Sequence, residues 1–191
     1  MKYFIQVTLT TYIAAMLVYS LWGWVTFQTL DQGWLGSLVY LPHGCRVIFY
    51  CFFGVRSLPA LYLAEITGPA LVWGDQYLDW WFIASISSLL SVVIAVEIIK
   101  WSKVSSWKPT ILLKINFSNY KFLIFVIIIS ALFNAIFTNL ILSIINRVDL
   151  TVHVVARFFI GDVIGSACFI AFLMIMFNML RSNRLYQVND K

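Results

Sequence analysis

Apart from Glu97, which lies close to Lys100 at the inner end of its segment, five acidic, basic or imidazole side chains lie within long apolar stretches of this 191-residue sequence. They are His43, Arg46, Glu65, Arg157 and Asp162. In a membrane such groups are costly, so they usually pair with one another or mark a functional site. Two acids, two bases and a histidine could bind a small polar ligand or neutralise each other. We therefore interpret these five residues as candidate ligand-binding residues.

The composition identifies the environment in which these side chains must lie. Hydrophobic residues make up 62% of the chain, charged residues 11%, and the mean hydropathy is +0.90. A soluble domain carries about 25% charged residues, so this chain could not cover a water-exposed surface with polar groups. The composition excludes an ordinary soluble enzyme, a nucleic-acid-binding protein and a disordered chain. It predicts one integral membrane domain over residues 1–191.

Six apolar segments are candidates for membrane-spanning helices, which need about 20 mostly apolar residues each. They lack the alternating pattern of barrel strands, and helices satisfy backbone polar groups within one segment. The sequence therefore predicts an all-α, polytopic bundle of six transmembrane helices. The segments are residues 4–27, 35–53, 58–73, 81–99, 122–145 and 154–180.

The lysines and arginines between these segments predict the orientation, because basic residues are enriched in cytoplasmic loops. Basic residues flank one set of helix ends: Lys2, Arg56, Lys100, Lys103, Lys108, Lys114, Lys121, Arg181, Arg184 and Lys191. In the first and third loops, all of the charged residues are acidic: Asp31, Asp75 and Asp79. This alternation predicts that both termini are cytoplasmic. The net charge of +5 thus reflects topology and does not indicate nucleic acid as a partner.

The predicted orientation brings the buried charges to similar depths. At about 1.5 Å per residue, Arg46 and Glu65 lie near mid-membrane, and Asp162 lies in the outer half. One hypothesis is that the five residues surround an outward-open pocket. The alternative is a buried ion-pair network that only fixes helix packing. Both interpretations remain open at this point.

Four small or rigid residues are candidates for helix packing. Pro42 and Gly44 should break or kink the second span, because proline removes a helical hydrogen bond. Gly161 and Gly165 form a Gly-x-x-x-Gly pattern that allows a neighbouring helix to approach closely. The pattern would also bring that neighbour beside Asp162.

No catalytic or metal-binding motif is recognisable. Cys45, Cys51 and Cys168 lack metal-ligand spacing, and the sequence contains no phosphate-binding loop or nucleophile elbow. We therefore expect no catalytic residue, no metal and no cofactor.

Several short motifs resemble the first class of bacterial membrane-associated sensor domains. The similar segments are Tyr40–Gly44, Phe53–Arg56, Pro59–Ala64 and Ile160–Gly165. By position, the resemblance singles out Pro42, Gly44, Gly54, Arg56, Pro59, Gly161, Asp162 and Gly165. It implies a multi-helix module that senses through the membrane. The family usually has eight spans and a cytoplasmic output domain, whereas this sequence has six apparent spans and only a short tail after Leu180.

The resemblance therefore implies a non-enzymatic sensory or ligand-responsive module of the bacterial inner membrane that acts through a separate membrane partner protein. Two alternatives belong to other classes. Six helices in this length also resemble the substrate-binding subunit of a vitamin-type transporter with an outward-opening pocket. The other alternative is a structural or assembly subunit of a larger membrane complex, in which case the polar layer should face a partner helix and hold no cavity.

Overall fold

The computed structural model describes residues 2–26, 37–73, 80–102, 117–147 and 149–189, and within these ranges it contains helices and no strands. This confirms the all-helical prediction. The helices are α1 (Lys2–Thr26), α2 (Leu41–Phe53), α3 (Leu58–Trp73), α4 (Trp81–Trp101), α5 (Phe117–Phe133), α6 (Asn139–Asn146) and α7 (Val152–Asn189). Several charges used to predict the orientation lie outside the described residues: Asp31, Asp75, Asp79, Lys103, Lys108, Lys114 and Lys191.

The described helices include five continuous runs that are long and apolar enough to cross a membrane, whereas the sequence predicts six spans. The difference lies in Leu41–Leu71, which is one run by length and composition. It contains α2, a 3-10 turn at Gly54–Ser57 and most of α3. The Nε atom of Arg46 in α2 lies 3.0 Å from Oε1 of Glu65 in α3. A straight helix would separate these residues by about 28 Å, so the chain must reverse at the 3-10 turn.

Contacts at both ends show that α2 runs antiparallel to α1. The indole of Trp22, near the end of α1, donates a 2.9 Å hydrogen bond to the carbonyl of Val39, just before α2. At the other end, the Arg56 guanidinium lies 5.3 Å from the centre of the Tyr3 ring. The chain from Val39 to Arg56 therefore returns along the part of α1 between Trp22 and Tyr3. That part is about 28 Å long, which is close to the thickness of a hydrocarbon core.

The break expected within the second span lies at its beginning. Residues 37–40 are not helical, and α2 starts at Leu41 with Pro42 in its first turn. Proline is well tolerated there because the first amides of a helix have no intrahelical acceptor. The span predicted to begin at residue 35 is thus helical only from Leu41 among its described residues.

A π-helical turn joins α5 to α6. It comprises Asn134–Thr138, and the residues on either side keep right-handed helical angles. The path from Phe117 to Asn146 is therefore one helix with a local bulge, which covers the predicted fifth span. Single π-turns inside α-helices occur often at functional sites. This turn packs against α4 and α7.

The burial pattern is inverted relative to a soluble protein. Large apolar side chains are exposed around the bundle, with Leu17 at 66% and Ile144 at 70% of full exposure, whereas Arg46 is 2% exposed. Soluble proteins almost never bury arginine while leaving such a surface uncovered. These helices suit a lipid bilayer, with an apolar exterior and a polar group of side chains inside.

Candidate functional site

Four of the five candidate residues meet inside the bundle. His43 and Arg46 come from α2, Glu65 from α3 and Asp162 from α7, and each is at most 2% exposed. We call these four side chains the polar centre. Arg157 is also on α7, but it is only partly buried and lies more than one helical turn before Asp162. It is therefore not a member of the fully buried set.

Arg46 and Glu65 form the first half of the polar centre. Their Nε and Oε1 atoms are 3.0 Å apart, which is a close ion-pair distance. The Arg46 guanidinium also lies 5.4 Å from the centre of the Tyr40 ring, within the range of a cation–π contact. This pair links α2 to α3 across the chain reversal, and the aromatic ring covers one side of the cation.

His43 and Asp162 form the second half of the centre. The Nδ1 atom of His43 lies 3.5 Å from Oδ2 of Asp162, and its Nε2 atom lies 3.0 Å from the hydroxyl of Ser130 in α5. Asp162 Oδ2 also accepts a 2.6 Å hydrogen bond from the side-chain amide of Asn134. The Asn134 carbonyl oxygen accepts from the Thr138 hydroxyl at 2.8 Å. Side chains from α2, α5, the π-turn and α7 are therefore connected in one network.

Two tyrosines extend the first half of the centre towards α1. The hydroxyl groups of Tyr19 and Tyr40 are 3.0 Å apart. Tyr19 is buried, and its ring fills the space in which a side chain at Gly68 of α3 would have to lie. The hydroxyl pair thus connects α1 with the segment before α2, beside the Arg46 guanidinium.

The glycines allow α7 to lie directly against α2 and the segment that precedes it. A Cβ atom at Gly161 would overlap the carbonyl oxygen of Ser37, and one at Gly165 would overlap the backbone of Tyr40. The Tyr40 amide donates a 3.0 Å hydrogen bond to the Gly161 carbonyl. A Cβ atom at Gly44 would likewise lie only 2.8 Å from the Cα atom of Ser166. Because α7 comes this close, Asp162 can reach His43.

Several buried atoms of the polar centre have no hydrogen-bond partner among the described residues. They include Nη1 of Arg46 and both carboxylate oxygens of Glu65, although that carboxylate is paired with Arg46 Nε and lies close to the Tyr19 hydroxyl. These atoms border a narrow gap lined by Ala15, Tyr19, Pro42, Cys45, Arg46, Leu61, Ala64 and Glu65. The gap is too tight to admit a water molecule. The site is therefore closed in this conformation and does not form an open pocket.

The order Ser130, His43 and Asp162 matches the connectivity of a serine hydrolase triad. Ser130 is fully buried, however, and its hydroxyl donates to the Ile127 carbonyl at 3.2 Å. A nucleophile must reach its substrate, and this hydroxyl is directed at its own helix. Within the described ranges, no group of histidine, cysteine and acidic side chains could hold a metal ion.

The sequence interpretation did not include the neutral polar residues of this site. Ser130, Asn134 and Thr138 recur every fourth residue along the most apolar segment, and all three are buried. Residues at this spacing share one helix face. A search for charged side chains alone overlooks them, whereas a search for polar periodicity would have found them.

Replacing Asn134 by alanine should destabilise the protein by about 1–2 kcal/mol, because Asp162 would lose its amide donor inside the bundle. Denaturant-induced unfolding in detergent micelles measures this effect. The matched control is Asn146→Ala, since among the described residues the Asn146 amide donates to the Leu142 carbonyl of its own helix and not to another helix. Equal losses in the two variants would contradict a special role for the Asn134–Asp162 contact.

In comparisons with known proteins, no protein family, no curated protein and no solved structure matches this chain.

Proposed function

We propose that the chain is a non-enzymatic, ligand-responsive sensory module, similar to the first class of bacterial membrane-associated sensor domains, that acts through a separate membrane protein. The observation that supports this proposal is the polar centre, whose contacts join α2 to α3, α5, the π-turn and α7. A ligand or a change of charge that rearranges these contacts would alter several helix interfaces together. A partner protein that contacts the outer surface of the bundle in the bilayer would then bind it differently.

We further propose that the chain crosses the bacterial cytoplasmic membrane six times, with both termini inside. The return of residues 39–56 along α1 supports two separate crossings by α2 and α3. Tyr3 and Arg56 contact each other at one end of the bundle. That end carries basic residues, as expected for the cytoplasmic side.

The ligand site of this proposal is the gap between α1, α2 and α3. Arg46 Nη1 and Glu65 Oε2 are a buried donor and a buried acceptor without hydrogen-bond partners in the described chain. Buried polar groups in this condition are destabilising until a partner binds them. A small molecule with one acceptor and one donor would satisfy both atoms once the gap has widened.

Site-specific photo-crosslinking in the native membrane tests the proposal. A photoreactive residue is placed at the exposed positions Leu90 and Ile94 of α4 and Ile160 and Ile164 of α7, one at a time. We expect an adduct with one membrane signalling protein. Its yield should change at least twofold when Arg46→Gln and Glu65→Gln are combined.

Control variants and alternative outcomes make this experiment decisive. Glu97 and Lys100 form an exposed ion pair, with 2.7 Å between Oε1 and Nζ. Neutralising both of them is the matched control and should leave the adduct yield unchanged. An adduct with an ATP-driven transporter subunit would instead favour the substrate-binding alternative. An adduct with a large complex, formed in a yield that the Arg46 and Glu65 substitutions leave unchanged, would favour an assembly subunit.

A further inference from the structure

The charges of the polar centre do not cancel when each group has its usual ionisation at neutral pH. Arg46 contributes one positive charge, Glu65 and Asp162 contribute two negative charges, and a neutral His43 contributes none. An unbalanced charge at this depth is strongly unfavourable. One additional proton would bring the total to zero.

The other described side chains around the centre do not supply the missing positive charge. Tyr40, Ser130 of α5 and Asn134 of the π-turn contact it directly and are neutral, as are Tyr19 and Thr138, which bond to Tyr40 and Asn134 in turn. The buried residues of α4 include three serines and no titratable group. On α7, Arg157 is partly exposed and lies five residues from Asp162. The Arg157→Gln variant tests whether its positive charge balances the centre.

The directions of the hydrogen bonds indicate where an additional proton would lie. The Ser130 hydroxyl has one proton, which can point to His43 Nε2 at 3.0 Å or to the Ile127 carbonyl at 3.2 Å; in the second arrangement its oxygen is an acceptor towards Nε2. A neutral imidazole carries one N–H, which must then be on Nε2. Nδ1 would be left as a bare acceptor at 3.5 Å from Oδ2 of Asp162, which is also an acceptor when ionised. Two facing acceptors repel each other unless one of them carries a proton.

We infer that the His43–Asp162 pair is a proton-binding site that holds one proton at neutral pH, on His43 Nδ1 or on the Asp162 carboxyl group. This inference goes beyond the proposed sensory function, because it names a ligand, the proton, and assigns it to a site that does not require the gap at Arg46. Loss of the proton would place an ionised carboxylate opposite a bare ring nitrogen. The resulting repulsion would act directly between α2 and α7.

Nuclear magnetic resonance and infrared spectroscopy on the protein in lipid bilayers together test the inference. His153 is exposed and is the other histidine of the chain, so His153→Gln leaves His43 as the single source of imidazole nitrogen signals. Infrared spectra with ¹³C-labelled aspartate, compared with ¹³C-labelled glutamate, identify a protonated aspartic acid. The Asp162→Asn variant assigns that band where it folds, and the isotope labels serve where it does not.

Either of two results at neutral pH supports the inference: a doubly protonated His43 ring, or a carboxylic acid band that shifts with labelled aspartate. A singly protonated ring together with fully ionised aspartates would overturn it. An acid band that shifts only with labelled glutamate would also overturn it, because the proton would then belong to Glu65. The Arg157→Gln variant should leave the signals unchanged. A proton that binds only in this variant would show that Arg157 balances the charge.

Discussion

Replacing Glu65 by leucine while Arg46 remains in place should give the largest loss of stability in the polar centre, about 3–5 kcal/mol. Arginine does not lose its charge in proteins, so the variant would bury a cation without its 3.0 Å partner. Reversible unfolding in detergent micelles measures the difference from the unsubstituted protein. The reverse variant, Arg46→Met, should lose less, because the remaining Glu65 carboxylate can become neutral by taking up a proton.

Two comparisons separate this effect from a general loss of packing. The double variant Arg46→Met with Glu65→Leu should recover part of the stability, since no unpaired cation remains. Glu97→Leu removes an acid from a solvent-exposed pair with Lys100 and should cost less than about 1 kcal/mol. If Glu65→Leu and Glu97→Leu were equally mild, the ion pair would not support the bundle.

Substituting Gly165 by alanine should destabilise the protein by about 2–3 kcal/mol, the upper part of the range of about 1–3 kcal/mol that is usual for overpacking an interior contact. The new methyl group would overlap the backbone of Tyr40, which cannot move aside as a flexible side chain can. Separation of α7 from this segment would also move Asp162 away from His43. The unfolding assay detects the loss of stability, and the His43 ring signals detect the displacement.

The control for this prediction lies two residues further along the same helix. Ala167 is exposed, so Ala167→Val adds volume outside the packed interior of the described bundle. We expect a change of less than about 0.5 kcal/mol, as is usual for surface substitutions. Gly165→Ala would count against the close approach of α7 if its stability matched that of Ala167→Val.

Much of the fold can be predicted from the sequence, because the backbone polar groups of an apolar segment in lipid must form hydrogen bonds within that segment. Long apolar segments in lipid must be helical, and the described residues of these segments are helical except for residues 37–40, before α2. The sequence interpretation places a short loop at residues 54–57 between two spans, whereas length and composition of the helices alone give one run, because Gly54–Ser57 interrupts the helix without interrupting the apolar run. Contacts such as the Arg46–Glu65 pair, which depend on tertiary structure, reveal the reversal.

The site was less predictable than the fold. The cost of a charge in an apolar segment directs attention to His43, Arg46, Glu65 and Asp162, and the same argument selects Arg157, which the structure leaves partly exposed. When apolar residues occur on every side of a long helix, their spacing in the sequence does not indicate which side faces the interior of the bundle. Asn134 was overlooked because a neutral amide is a weaker signal than a charge. Its importance comes from Asp162, 28 residues away.

The central claim is that charged side chains from separate helices meet inside the bundle, and a direct distance measurement tests it. In a Glu97→Gln background Glu65 is the remaining glutamate of the chain. Solid-state nuclear magnetic resonance can then measure the dipolar coupling between its ¹³C-labelled carboxyl group and ¹⁵N-labelled arginine side chains in lipid bilayers. We predict a strong coupling, matching the 3.0 Å contact, that Arg46→Lys abolishes. A spectrum of the Glu97→Gln protein with Arg46 in place but without such coupling, as expected for one straight helix of residues 41–71, would contradict the account.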